Sequence, residues 1–343
     1  MGRVLIGMSG GVDSSVAALL LRENGDTTVG VTLQLCPQPQ TDAVRDAAAV
    51  CEALQMEHSV LDYRAEFSET VMNNFIAEYL NGRTPNPCVL CNEKIKFGVL
   101  VQTAKQMGCE ALATGHYAAT RREPNGRVLL CRPKDRNKDQ TYMLCRLSQE
   151  QLAFARFPLA NLSKAEIRAL ASEKGLAVAD RQDSQDICFV PSGDYAAFIE
   201  ERIGKQPCGE FRSTDGTVLG THAGLIRYTV GQRKGLGIAL GKPAYVLEKN
   251  AAENFVVLGE ESELFRTRVE IGDINYIPFD TLSAPIRVTA KLRYRQAEQP
   301  ALLHPTSAHS AVLEFDRPQR APSSGQTAVF YDGDTVLGGG TIL

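Results

Sequence analysis

The stretch "GMSGGVDSS", Gly7 to Ser15, limits what this chain can fold into more than any other. It lies between a short apolar run, "RVLIGM", and a helical pattern, "SSVAALLLRENG", that stops at Gly25. A strand that turns through glycines and serines into a helix makes a cradle for an anion. Gly10 and Gly11 let backbone amides turn inward, and Ser9, Ser14 and Ser15 add hydroxyl donors. The helix that begins near Asp13 directs its positive end at the same spot. A mere tight turn would need one glycine and no serine cluster. The lysine of a Walker A loop is missing, and so is the third glycine of a Rossmann fingerprint. Strand and helix patterns then alternate: "TTVGVTLQL", "TDAVRDAAAVCEALQ" (capped by Thr41 or Asp42), "EHSVLDY", "FSETVMNNFIAEYLNG", and, after a prolyl loop, "GVLVQTAKQMG" and "CEALATGHY". This predicts an α/β fold, a parallel sheet with helices on both faces, with its ligand at the carboxyl ends of the strands.

Helical patterning continues through "SQEQLAFARF", "SKAEIRALASEKG", "DRQDSQDICFV" and "SGDYAAFIEERIG". Beyond about Lys205 helical periodicity disappears, while Gly, Thr, Val and Tyr rise. Three domains follow from these changes. Residues 1–204 form the α/β domain that carries the anion loop, 205–267 a small β-rich central domain, and 268–343 a C-terminal β-barrel. The last is read from "RVEIGDINYI", "IRVTAKLRY", "SAVLEFD" and "TAVFYDGDTVLGGGTI". A length of 343 residues accommodates that many cores.

Charge says little about partners. A net −3 lacks the basic excess usual in nucleic-acid-binding domains. Positive charge is concentrated locally, however, in "RPKDRNKD", "RYTVGQRKG" and "KLRYRQ", and such patches attract phosphates. Taken singly, each is an ordinary solvated face. No apolar run approaches a membrane span, the N-terminus lacks a signal-peptide core, and Ile6 breaks the myristoylation pattern. The expected location is the cytoplasm.

Nine cysteines, an odd number, argue against a disulfide scaffold. Cys51, Cys109, Cys131 and Cys145 lie in apolar surroundings and read as small buried hydrophobes. Cys88 and Cys91, in "TPNPCVLCNEKIKF", and Cys188, in "DSQDICF", lie instead in polar, turn-forming segments. No second pair stands at zinc spacing. A thioredoxin-like pair would open a helix, whereas this one reads as part of a loop. A nucleophile remains. A free thiol has a pKa of roughly 8.5, and Lys94, Lys96 and a helix N-terminus near Ile95 are available to raise the thiolate fraction.

The first motif resembles the SGGxDSS pyrophosphate loop of the ATP pyrophosphatase (PP-loop) superfamily. With "TPNPCVLCNEKIKF", "ATGHYA", "NKDQTYML", "DSQDICFVP" and "KLRYRQ" in order, the whole chain resembles the bacterial tRNA-specific 2-thiouridylases. The resemblance implies adenylation of the C2 oxygen of the wobble uridine by ATP with Mg2+, then sulfur transfer to the same carbon. Gly7, Met8, Ser9, Gly10, Gly11, Val12, Asp13 and Ser14 would hold the ATP phosphates, with Leu33 and Gly115 against the adenosine. Asn86, Pro87 and Cys88 would approach the target base. Cys91 would be the nucleophile and Cys188 the persulfide carrier, leaving a Cys91–Cys188 disulfide after transfer. His116, Lys138, Asp139, Gln140, Arg293, Tyr294 and Gln326 would face the tRNA. Implied partners are the tRNAs for Lys, Glu and Gln and a cysteine desulfurase or sulfur-relay protein, with no membrane and no dedicated metal site.

One departure stands out. Many relatives carry aspartate where this chain has Cys88, so any role of that carboxylate does not transfer. Cys88, Cys91 and Cys188 could instead hold a [4Fe–4S] cluster; no local cluster spacing is present, and the persulfide route is preferred. A rival of another class is a small-molecule ligase of the argininosuccinate synthetase sort, which would need neither the cysteine pair nor a β-rich RNA platform. An RNA-binding module with a vestigial nucleotide site conflicts with the intact loop.

Overall fold

The computed structural model describes residues 2–36, 41–179, 181 and 186–343. The chain opens with β1 (Arg3–Gly7), α1 (Val12–Glu23), β2 (Thr27–Gln34), α2 (Thr41–Ala53) and β3 (Glu57–Asp62). Thr41 is the first helical residue of α2 and Asp42 lies in its first turn, so both sit inside the helix rather than at its cap. A continuous helical run follows as α3 (Arg64–Phe67), a π turn (Ser68–Met72) and α4 (Asn73–Leu80). A second run comprises α5 (Pro87–Cys91), a π segment (Asn92–Val99) and α6 (Leu100–Gln106), leading into β4 (Ala111–Ala113). The segment carrying Cys88 and Cys91 is therefore a helix start and not a loop. Pro87 takes the first helical position, where its fixed φ and missing N–H cost nothing.

The hairpin β5 (Ala119–Arg122) and β6 (Val128–Cys131) comes next, then α7 (Thr141–Leu144), α8 (Gln149–Phe154), β7 (Ala155–Arg156), α9 (Lys164–Glu173) and α10 (Tyr195–Ile203). Of the expected helix "DRQDSQDICFV", residues 180 and 182–185 lie outside the described residues; Cys188 sits in a turn.

The expected α/β architecture holds. Five parallel strands run in the order β3-β2-β1-β4-β7. The central strand is buried on both faces, and its alternating side chains serve different cores. Val4 and Ile6 pack with Val16, Ala17 and Leu21 of α1, whereas Leu5 packs with Phe97 and Leu100. Each such fully buried aliphatic side chain contributes about 1.5–3 kcal/mol. Strand order reverses between β1 and β4, which makes their carboxyl ends the switch point where ligands bind in such sheets.

A four-stranded sheet follows, with β8 (Gly209–Arg212), β9 (Val218–His222), β10 (Tyr245–Asn250) and β11 (Phe255–Gly259) in the order β10-β11-β8-β9. Its core gathers Phe211, Tyr228, Val246, Val256 and Leu258. The last strands are β12 (Phe265–Tyr276), β13 (Ile286–Lys291), β14 (Gln299–Ser307), β15 (Ser310–Arg320), β16 (Thr327–Asp332) and β17 (Thr335–Ile342). Pairing of β12 with both β15 and β17 closes them into a six-stranded barrel, which leaves it without free edges.

Two barrel features were not expected. Strand β14 contains Pro300 and Pro305, which hide its alternation, yet Ala301 and Leu303 point inward and are fully buried. The β5–β6 hairpin adds to the barrel sheet through Cys131 and Thr335, so the first domain donates two strands to the last.

Candidate functional site

The nucleotide loop lies at the switch point. Gly10 has φ +71°, and a Cβ there would strike the main chain of Ala43, so the position requires glycine. The serines brace the loop. Ser9 Oγ accepts from Gly11 N–H at 3.4 Å and lies 3.1 Å from Ser14 Oγ. Ser14 and Ser15 donate to Gly11 O at 3.1 and 2.9 Å. Met8 N–H ties the loop to Val31 O at 2.7 Å, and Leu33 lies at the carboxyl end of β2. Gly115 forms the opposite wall. A Cβ on it would stand 2.7 Å from Ser14 N, so only glycine lets this loop press against the first turn of α1. Val12 is buried beneath.

Two cations at this loop escaped sequence reasoning. Lys164 Nζ donates to both Asp13 carboxylate oxygens, at 2.8 and 2.9 Å, and Tyr117 OH donates to Asp13 Oδ1 at 2.6 Å. Arg181 donates to Gly10 O at 3.1 Å and pairs with Asp46. The available clue was Lys164 as the first residue of α9, where a positive charge opposes the helix dipole and needs an anion nearby. His116, beside Gly115, has Nδ1 2.7 Å from Thr114 Oγ1 and packs near Phe97 and Phe157. Burial and then the charge of Lys96 hold its pKa well below the ordinary value, so the imidazole is neutral.

The thiols gather next to this loop. Cys88 and Cys91 lie three residues apart on one helical face. Cys91 is 8% exposed, within an apolar cluster that includes Phe67, Phe75, Ile95, Phe189 and Cys36. Cys88 and Cys188 are exposed. Burial pushes Cys91 up to about 11, and the protein packed around the partly exposed Cys88 raises that thiol as well, while Lys96 pulls both down and the neighbouring Cys188 opposes it. Of the two lysines expected to act on the pair, Lys96 does so; Lys94 is engaged with Glu93 at 2.6 Å. The C-x-x-C pair does open a helix, so its placement no longer separates it from dithiol motifs. What distinguishes it is burial, which offsets the thiolate stabilisation that a helix start supplies.

Cys188 has a further neighbour. Cys36 Sγ donates to the main-chain oxygen of Cys188 at 3.7 Å. The Cys36 contact, then the surrounding protein, raise Cys188. Cys36 was missed because it reads as one cysteine in "LCPQ". The clue was its place just beyond the carboxyl end of β2, the binding edge of the sheet. Among the described residues, no three His, Cys, Asp or Glu side chains converge at metal-holding distances. As placed, Cys88, Cys91 and Cys188 do not fit the seat of a [4Fe–4S] cluster. Asp13 is the carboxylate at the phosphate loop, and magnesium entering with a nucleotide triphosphate needs only one or two such ligands.

The residues expected to face tRNA divide into two groups. Asp139 is buried, accepts from Thr141 N–H at 2.9 Å and pairs with Arg132 at 3.0 Å. Arg293 turns inward to Ala321 O at 2.8 Å and Ser323 Oγ at 2.9 Å. Gln326 donates to Thr84 O at 2.8 Å, just before Asn86. These three brace loops. Lys138 and Gln140 are half-buried, Gln140 accepting from Tyr117 N–H at 2.9 Å. Tyr294 packs on Tyr142 at 5.7 Å and feels the charges of Asp139, Lys138 and Cys88, which groups this barrel residue with the thiol helix. Asn86 Nδ2 lies 3.9 Å from Met143 Sδ.

A parallel sheet with a serine-braced phosphate loop, a thiol cluster beside it, and a four-stranded sheet and a β-barrel following it defines a PP-loop nucleotide-binding protein equipped for sulfur chemistry. Three family profiles match in order: "tRNA methyl transferase HUP domain" over residues 2–192, "tRNA methyl transferase PRC-barrel domain" over 196–260 and "Aminomethyltransferase beta-barrel domain" over 266–342. The chain is 46% identical to a protein of Acetivibrio thermocellus named tRNA-specific 2-thiouridylase MnmA, covering 99% of each. It is 44% identical to the protein of that name from Clostridioides difficile, covering 99% of this chain and 98% of that one. The chain belongs to the tRNA-specific 2-thiouridylase family. The profile descriptions speak of methyl transfer, whereas the relatives' names speak of thiolation, and the thiol cluster accords with the relatives.

Proposed function

We propose that the protein replaces the C2 oxygen of the wobble uridine of tRNA with sulfur, converting ATP to AMP and pyrophosphate. The observation that carries this is the helical run from Pro87 to Val99, which bears Cys88 and Cys91 at its start and, at Phe97, packs 5.9 Å from His116 beside the nucleotide loop. Activation and sulfur delivery thereby share one space.

The loop from Gly7 to Ser14 and Lys164 hold the phosphates, with Leu33 and Gly115 flanking the adenosine. Magnesium entering with ATP would supply charge neutralisation for the departing pyrophosphate, with Asp13 as the carboxylate available to hold it. The flipped uracil rests against Asn86, Pro87 and Cys88, and its C2 oxygen attacks the α-phosphate, which makes that oxygen a leaving group. Cys91 thiolate then attacks the inner sulfur of a persulfide on Cys188. The Cys188–sulfane bond breaks, a Cys91–Cys188 disulfide forms, and hydrosulfide is released beside C2 to expel AMP. Neutral His116, Lys138, Gln140 and Tyr294 border the tRNA side. Adenylation and sulfur transfer fall to residues 1–204, and residues 205–267 and 268–343 carry the tRNA.

The substrates are the tRNAs for Lys, Glu and Gln, sulfur comes from a cysteine desulfurase or relay protein, and the setting is the cytoplasm. Among the described residues no helix is long and apolar enough to cross a membrane. The test is tRNA-dependent release of AMP and pyrophosphate alongside sulfur incorporation. Cys91→Ser should keep the first and lose the second; a small-molecule ligase would lose neither.

A further inference from the structure

The basic stretch "RYTVGQRKG" has no part in the site described above. Its last residues open a loop, Gly231 to Ala244, that leads into β10 and is held firmly. The side-chain oxygen of Gln232 accepts from Thr229 N–H at 3.0 Å, and its amide donates to Lys234 O at 3.0 Å. Gly231 N–H donates to Val246 O at 2.8 Å, Val246 N–H returns a bond to Gln232 O at 3.0 Å, and Leu236 is buried in the core of the central sheet. Arg233 and Lys234 are thus fixed at the main chain, while both residues are exposed. Among the described residues, neither side chain makes a hydrogen bond or ion pair. Two acids at the loop's border are already engaged, Glu260 with Lys242 at 2.9 Å and Glu261 with Arg320 at 3.1 Å. Two adjacent positive charges therefore face solvent uncompensated.

The loop lies against the barrel turn that steers the target-base segment. A Cβ on Gly231 would meet that of Ala321 at 2.8 Å. Arg293 bridges the two, donating to Val230 O at 3.4 Å and to Ala321 O at 2.8 Å. Ser324 O, in the same turn, accepts from Thr84 N–H at 2.8 Å, just before Asn86. We propose that this loop is a clamp for the ribose–phosphate backbone of the tRNA strand beside the flipped wobble base. The proposal rests on the thiolation reading above. Flipping a base leaves the phosphates on either side of it to be held, and contacts without sequence preference suit that task. The loop's hollow, about 500 Å³, is lined by Leu236, Ile238 and Leu240 as well as by Arg233 and Lys242. Phosphates meet the cations there, and sugar carbons meet the aliphatic side chains. Exposed cations on long side chains make a poor pocket for one free anion. Along a polyanion, each of them releases condensed counterions.

The experiment measures binding of a fluorescent transcript of a wobble-uridine tRNA by anisotropy over a range of potassium chloride concentrations. Arg233→Gln with Lys234→Gln should bind about tenfold more weakly than wild type at moderate salt. Its plot of log affinity against log salt should be shallower by about 1.4–1.8, the release expected from two phosphate contacts. Binding of a fluorescent ATP analogue and loading of Cys188 by glutathione persulfide should be unchanged. Arg22→Gln with Lys174→Gln removes the same charge at the far ends of α1 and α9, which both begin at the phosphate loop, and should bind like wild type. Equal affinity and slope in wild type and the loop variant, or an equal loss in the charge-matched control, would overturn the clamp. Unchanged tRNA binding with slower loading from a protein persulfide donor would also overturn it, assigning the loop to that donor. Failure of the wild type to bind the transcript would overturn the thiolation reading itself, and the clamp with it.

Discussion

Gln326, in the turn before the fifth barrel strand, donates its side-chain amide to the main-chain oxygen of Thr84 at 2.8 Å, across 242 residues of sequence. Thr84 N–H answers by donating to Ser324 O at 2.8 Å. The barrel therefore fixes the three residues that lead into Pro87 and the thiol helix. Orientation of reacting groups is sensitive to small displacements. Gln326→Ala is expected to lower the thiolation rate by about tenfold to a hundredfold while leaving the KM for ATP nearly unchanged. Steady-state kinetics with each substrate varied would check it.

Lys96 is the cation that opposes burial at Cys91, whose thiol stands at about 11. Below that value the thiolate fraction grows about tenfold per pH unit, so the sulfur-transfer rate should climb with pH through the neutral range. Lys96→Met removes the cation, raises the thiol further and shifts the rate profile toward alkali. Activity near neutrality should fall by about tenfold, and Lys96→Arg should restore part of it. Rate profiles of the three proteins decide the matter.

Lys164 holds both oxygens of Asp13 at the mouth of the phosphate loop. A phosphate chain entering there meets an ammonium already in place. Lys164→Met should reduce ATP-dependent AMP formation by about a hundredfold, the scale of losing one preorganised electrostatic contact. Persulfide loading of Cys188, which needs no ATP, should proceed as before. Separate assays of the two half-reactions would show the split.

Lys249, on β10, places its ammonium over the Tyr79 ring at 5.8 Å with no hydrogen-bond partner. Burial lowers it from 10.5 to about 8. The folded state thus binds this proton less tightly than the unfolded chain. Stability from this group is complete above pH 10.5 and is lost as pH falls through about 8. At neutral pH the buried charge is a cost. Lys249→Met should stabilise the protein by about 1–3 kcal/mol there, and the wild type's alkaline gain should vanish. Thermal melts at neutral and alkaline pH would register both effects.

Much of this was legible in the residues. The glycine–serine loop between strand and helix located the phosphate cradle, and alternating strand and helix patterns located the parallel sheet. Other features were hidden for physical reasons. Proline is as common in loops as at a helix's first position, so Pro87 did not reveal that Cys88 and Cys91 share a helical face. Pro300 and Pro305 disguised a barrel strand. Asp139 and Arg293 are charged and looked outward-facing; only their tertiary partners, Arg132 and the Ala321–Ser323 turn, show that they brace the interior. Cys36 meets Cys188 across 152 residues, a contact that no local pattern encodes.

The most direct test is mass spectrometry of nucleosides from tRNA incubated with the protein, ATP, magnesium and a persulfide donor. The account expects wobble uridine with one oxygen replaced by sulfur in the wild type, and unmodified uridine with Cys91→Ser and with Cys188→Ser. A methylated nucleoside, or thiolation that survives in both variants, would contradict it.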